Sequence, residues 1–210
     1  MIELIIVMLV LSILSVLSIM SFKSKELYLA EREALLVMDI LNEAKQRALT
    51  QHETMRVEIN KTRNVVRLIN ENAAGNASDD QVIKSLTLEH SNYVTFDRAP
   101  TNIASSPVDL APVPAITFSP SVHPLSLSDQ VTTLRFTQTG NVLNGGSSST
   151  GANATLTGAT VYFWMPNLSD SGQAQTTGSI IRALTVLGSS GTTKYWRCQV
   201  VENQCTAWVQ

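Results

Sequence analysis

Three cations and two aromatic rings gather near the C-terminal end of the chain: Arg182, Lys194 and Arg197, with Tyr195 and Trp196 between the last two. Guanidinium and ammonium groups hold phosphates, and aromatic faces stack bases, so this set could contact a nucleic acid. Neighbours along one strand point to opposite faces, which divides the set. Cys198 and Cys205 enclose six residues, among which Glu202, Asn203 and Gln204 have turn character. A local disulfide closing a C-terminal hairpin follows, worth about 2.5 kcal/mol by loop-closure entropy. It implies an oxidising compartment, the periplasm or a cell surface. Zinc is not expected, because a structural site needs four ligands and only His52, His90 and His123 remain, none at ligand spacing.

Catalytic patterns do not emerge. The chain has no G-x-S-x-G, S-x-x-K, H-E-x-x-H, G-x-G-x-x-G or P-loop sequence. His52 follows a helix end, His90 sits beside a strand, and His123 lies between prolines in a loop. Asp79 and Asp80 read as a solvated loop pair, since an acid/base pair needs a desolvated pocket to separate its two pKa values. The expectation is a protein that is not an enzyme and carries no cofactor and no metal.

The elements that hold these residues are marked by an uneven charge distribution. The chain has 210 residues, a net charge of −2 and only 15% charged residues, which excludes a generally basic nucleic-acid binder and a fully disordered chain. Residues 1–21 carry one charged group, Glu3; residues 22–71 carry seventeen; the remaining 139 carry fourteen. Leu4 to Met20 is an uncharged run of seventeen residues whose polar members are serines. At about 1.5 Å per residue it covers about 25 Å, close to a membrane core, and the expectation is a single span. Leu27, Ala30, Ala34, Met38, Leu41, Ala44 and Ala48 then continue a helical period as one apolar stripe. No Pro or Gly precedes Gly75, so one helix is predicted from Ile2 to about Thr50.

Past His52 the period changes from 3.6 to 2. Thr54–Ile59 and Val65–Ile69 read as a hairpin, and further strands are predicted near Val82–Leu88, Tyr93–Phe96, Ala115–Phe118, Thr132–Phe136, Ala159–Trp164, Ile180–Leu187 and Lys194–Val201. Ala99–Pro114, with four prolines, and the Gly/Ser/Asn/Thr segment Gly140–Gly158 read as exposed loops.

The segment Ile2-Glu3-Leu4-Ile5-Ile6-Val7, followed by an apolar run and an amphipathic helix, resembles the N-terminus of the type IV pilin superfamily. Met1 stands where that motif has Leu, and the preceding glycine, aromatic residue and threonine are missing, so a basic leader encoded upstream is expected. Glu43-Ala44-Lys45-Gln46-Arg47-Ala48, the strand Leu134-Arg135-Phe136-Thr137-Gln138-Thr139-Gly140 and the late strand Ile181-Arg182-Ala183-Leu184-Thr185-Val186 look like the H-type minor pseudopilin of type II secretion and the FimT/FimU-type minor pilins.

The resemblance implies an α+β fold: a long N-terminal helix, membrane-spanning over residues 1–22 and amphipathic over 23–52, packed on a β-rich globular domain of residues 53–210. That domain is expected to be an antiparallel β-sheet domain of the pilin kind, and the chain a structural subunit of a pseudopilus or pilus, held by a single pass in the inner membrane with its globular domain in the periplasm. Glu3 would pair with the N-terminal amine of the adjacent subunit. Partners would be other pilins, an assembly ATPase and platform, and a prepilin peptidase. The alternative is a DNA-binding minor pilin using Arg182, Lys194 and Arg197.

Overall fold

The structure, a computed structural model, describes residues 2–72, 76–89, 91, 93–103, 106–107, 113–167, 172, 174–175, 178–202 and 204–210; the side chains of residues 2–7, 10, 13, 14 and 16–27 lie outside that description. Helix α1 runs Ile2–Gln51 and ends at His52, whose φ of 56° is the left-handed value that closes helices. Its buried stripe is Leu29, Ala30, Ala34, Val37, Ile40, Leu41, Ala44 and Ala48, at steps of three and four. The four alanines let strands approach the helix backbone closely. Among the described side chains of α1, those that the body grips lie in its second half.

The body consists of strands. β1 (Thr54–Asn60), β2 (Val65–Glu71), β3 (Gln81–Thr87), β4 (Ser119–Pro120), β5 (Gln130–Phe136) and β6 (Val142–Leu143) form one antiparallel sheet, ordered β3-β2-β1-β5-β4 with β6 on β5. β7 (Ala159–Phe163), β8 (Arg182–Val186), β9 (Thr193–Val201) and β10 (Gln204–Val209) form a second, ordered β10-β9-β8-β7. α1 touches β1, β2 and β5 of the first sheet and β7, β8 and β9 of the second. Met55, Val57, Leu134 and Phe136 from one sheet and Val161, Leu184 and Val186 from the other close one core with the helix.

This corrects the expected fold class. The described structure is mostly β, with two antiparallel sheets against the helix, because β7 to β10 form a ladder of their own that meets the rest of the chain through single bridges at Thr95, Ile103 and Ala115. The membrane-spanning half is corrected as well. Among the described residues no helix is long and apolar enough to cross a membrane, and with that finding the single-pass inner-membrane placement falls. The seventeen-residue uncharged run is shorter than the roughly 20 apolar residues a spanning helix needs. Two strand expectations also shrink: Thr95 and Ala115 make single bridges, to Trp164 and Thr160, while β4 pairs with β5. β10 is an additional strand beyond Gln204.

The β1–β2 hairpin turns on Asn64, at φ 53°, and on Asn60, whose side-chain oxygen accepts from the Arg63 N–H at 2.9 Å. Antiparallel register places Arg56 opposite Arg135 and Ile69, and Glu58 opposite Arg67 and Thr133. Those residues occupy the face of the first sheet turned away from α1. Both faces of β1 are buried, since every residue from Met55 to Asn60 is shielded from solvent.

Candidate functional site

The outer face of the first sheet carries an ionic network under cover. Arg56, from the middle of β1, has a side chain 2% exposed and lies 3.4 Å from Glu71 and 3.3 Å from Asp80. Arg135, on β5, donates to Glu71 at 2.8 Å and to the Ser149 carbonyl at 3.0 Å. Glu58 accepts from the Ser126 hydroxyl at 2.6 Å and faces Arg67 at 3.6 Å. At the end of the strand Asp129 accepts from Asn60 at 2.8 Å and pairs with Arg63 at 2.6 Å. Charged groups alternating along two strands normally mark a solvated face. Here the 113–129 and 140–154 segments fold over them.

Those covering segments are held by short-range bonds. Gly151 takes φ 77°, and a Cβ there would stand 2.6 Å from Arg135 Cζ, so the glycine is what lets the loop lie on the guanidinium. His123 Nδ1 accepts from the Leu125 N–H at 3.2 Å, which leaves Nε2 to donate to Asp80 at 2.8 Å. Burial and the charge of Arg56 hold the His123 ring below its ordinary pKa, so it is neutral near pH 7. Both ring nitrogens are committed, and the Ser126 hydroxyl is turned to Glu58. Burial pushes Glu71 up to about 6 in spite of Arg135 and Arg56. The same desolvation lowers Arg56 from its ordinary value, opposed by Glu71 and Asp80.

Between this face and its cover lies a cavity of about 420 Å³. Its described lining includes the cations Arg56 and Arg135 and the neutral His123, without a carboxylate. Glu71 and Asp80 instead line a smaller cavity of about 190 Å³ on the other side of Arg135. Arg56 Nε and Nη2 and Arg135 Nε, all buried, have no hydrogen-bond partner among the described residues. Among the described residues no group of His, Cys, Asp and Glu could hold a metal ion.

The residues singled out from sequence stand elsewhere. Cys198 and Cys205 form a disulfide joining β9 to β10, with Cα atoms 5.5 Å apart. Glu3 lies on α1, and its side chain is outside the described ones. Arg182 is buried, donates to the Ser179 and Ile181 carbonyls at 2.7 and 2.9 Å, and meets Glu31 of α1 at 3.3 Å. Arg197 is exposed, pairs with the same Glu31 at 3.2 Å, and lies 5.6 Å from the Tyr195 ring centre. Arg182 and Arg197 face each other across β8 and β9, whereas Lys194 pairs in register with Thr185 on the opposite face. The three cations do not share a surface.

Asp80 corrects its reading as a solvated loop residue, because its side chain is buried and bonded to His123. Arg56 and Arg135 carried no recognised motif. The one local signal was the cation and acid alternation of Arg56-x-Glu58 and Arg67-x-x-x-Glu71 on paired strands, which specifies a charged face but not its burial. No protein family, curated protein or solved structure matches this chain.

Proposed function

We propose that the chain is a structural subunit of a filament of the pilin or pseudopilin kind, packing against neighbouring subunits through the first half of α1. The observation that carries the reading is that division of labour along one helix. From Leu29 to Ala48 the stripe is consumed by the body, while Met8, Leu9 and Leu11 in the first half are 64%, 57% and 57% exposed. Exposed large apolar side chains on a helix without a partner in its own chain need a covering surface. Copies of the same helix, side by side, supply one. The resemblance of Ile2–Val7 to the superfamily motif supports the same assignment, with Glu3 meeting an amine of the next subunit and setting axial register.

The test is a set of full-length variants carrying Leu9→Lys and Leu11→Lys, scored for recovery in sheared filaments or, where filaments are short, for cysteine cross-linking between subunits. Loss of incorporation with an unchanged melting temperature of the body is expected. Normal incorporation overturns the proposal. Glu3→Ala is expected to reduce incorporation too, and a wild-type level would remove the charge-pairing step.

A further inference from the structure

We propose that the cavity over the outer face of the first sheet binds a small hydroxylated organic acid, its carboxylate held by the free N–H groups of Arg56 and Arg135. The inference is independent of filament assembly. A buried guanidinium N–H with no acceptor carries a full desolvation penalty. Two such nitrogens sit at one site here, Arg56 Nε and Arg135 Nε, while Arg56 Nη2 lies 3.3 Å from Asp80. Both side chains are more than nine-tenths buried, at 2% and 6% exposure. An oxyanion placed there supplies the missing acceptors, and the planar fork of arginine matches the two oxygens of a carboxylate.

The distribution of acids around the two arginines favours an anion on one side only. Glu71 and Asp80 meet the guanidinium groups from the side of the smaller cavity. The larger cavity therefore sees guanidinium edges without a competing carboxylate among its described lining. The rest of its wall mixes hydroxyl, amide and glycine positions such as Thr133, Asn144, Gly145 and Ser148 with apolar ones such as Ile116 and Val131. Gly145 packs against Thr133, where an added Cβ would lie 3.2 Å from the Thr133 Cβ. Such a wall suits a ligand with several hydroxyl groups on a carbon frame, and a volume of about 420 Å³ lies in the range of small-molecule sites, roughly 300–1,000 Å³.

The chain contains nine arginines, so the full-length protein grown with ¹⁵N-arginine gives a short set of Nε–H signals that single-residue variants assign. D-glucuronate, sulfate and D-glucose are titrated at constant ionic strength set with chloride. Glucuronate is expected to move the Arg56 and Arg135 signals saturably and at least fivefold more tightly than sulfate, with glucose inert. Arg135→Lys, which keeps the charge and loses the fork, should weaken glucuronate binding at least tenfold. Thr133→Val touches no ion pair in the network and keeps the fold testable if Arg135→Lys unfolds. It should weaken glucuronate severalfold and leave sulfate unchanged. No saturable shift with either anion, equal affinity for glucose and glucuronate, or glucuronate no tighter than sulfate overturns the proposal.

Discussion

The two sheets sit against the same helix with apolar inner faces, and their outer faces differ in kind. The outer face of the first sheet is made of Arg56, Glu58, Arg67, Glu71 and Arg135, each needing a partner at a defined distance. The outer face of the second is Tyr162, Trp164, Ile181, Ala183 and Trp196, tied off by Cys198–Cys205. Apolar packing is tolerant of direction, whereas a desolvated ion network is stable only where every lone pair and proton is matched. On the second sheet's outer side the Trp164 indole N–H donates to the Arg98 carbonyl at 2.8 Å, and burial pushes Tyr162 up to about 12. On the first sheet several guanidinium nitrogens remain unmatched. The second sheet's outer side is built for stability, and the first retains polar capacity that a ligand can use.

The largest effect that bears on this contrast is expected at Trp164, which is fully buried and has the Arg98 guanidinium 5.8 Å from its ring. Trp164→Ala should destabilise the protein by about 3–5 kcal/mol, the range for emptying an aromatic site in a core. Urea unfolding measures it. A loss under about 1 kcal/mol would mean that the second sheet's outer cluster is a loose cover and that the contrast drawn here fails.

Removing the covalent tie comes next. The bridge closes a loop with a sequence separation of 7. Cys198→Ser with Cys205→Ser should cost about 2.5 kcal/mol on the loop-entropy estimate. The same variant should leave the pH dependence of stability untouched, because neither the disulfide nor the two serines titrate.

The ionic face is expected to answer to pH instead. Glu71 titrates near 6 in the folded chain against an ordinary 4.5, so the folded protein binds more protons between those values. A carboxyl with a raised folded pKa contributes stability in full below 4.5 and loses it as pH rises through 6. Wild type should therefore lose about 2 kcal/mol relative to Glu71→Gln between pH 4.5 and 7, the free energy of a shift of about 1.5 pKa units. His123 acts in the other direction, since its lowered pKa costs stability on acidification, but it is common to both proteins and cancels in the difference. Parallel curves for the two would show that Glu71 is solvated and that the first sheet's face is not closed.

Much of this layout could be read from residue order. The hairpin Thr54–Ile69, the Ala-rich stripe of α1 and the Cys198–Cys205 closure all depend on local period or spacing, which a single sequence displays directly. The ionic face was missed because its burial is a tertiary property: Arg56 and Glu71 look solvated until the Gly140–Gly158 segment, rich in small residues, is laid over them. Asp80 and His123 are 43 positions apart and meet only through that folding. The second sheet was hidden for a related reason, since Ala159–Trp164 and Ile180–Leu187 read as strands without declaring which neighbours they pair with. The span was over-read because an uncharged run of only seventeen residues was taken as enough to cross.

The smallest effect is a control on the whole comparison. Lys84 of β3 reaches back to Asp39 and Glu43 of α1 at 3.0 and 2.9 Å, on the side of the first sheet that meets the helix, and its side chain is 41% exposed. Its hydrogen bond to Glu43 raises the Lys84 pKa, and Lys84 in turn lowers that of Glu43. Exposed pairs are screened and lose side-chain entropy, so Lys84→Ala should cost under about 1 kcal/mol and less again in high salt. Chemical denaturation at low and high sodium chloride reads both numbers. The Glu71 effect, which belongs to desolvated charges, should persist in the same salt. If the two responses to salt are alike, burial is not what separates the face of Arg56 from the surface of β3, and the distinction between the two sides of the first sheet goes with it.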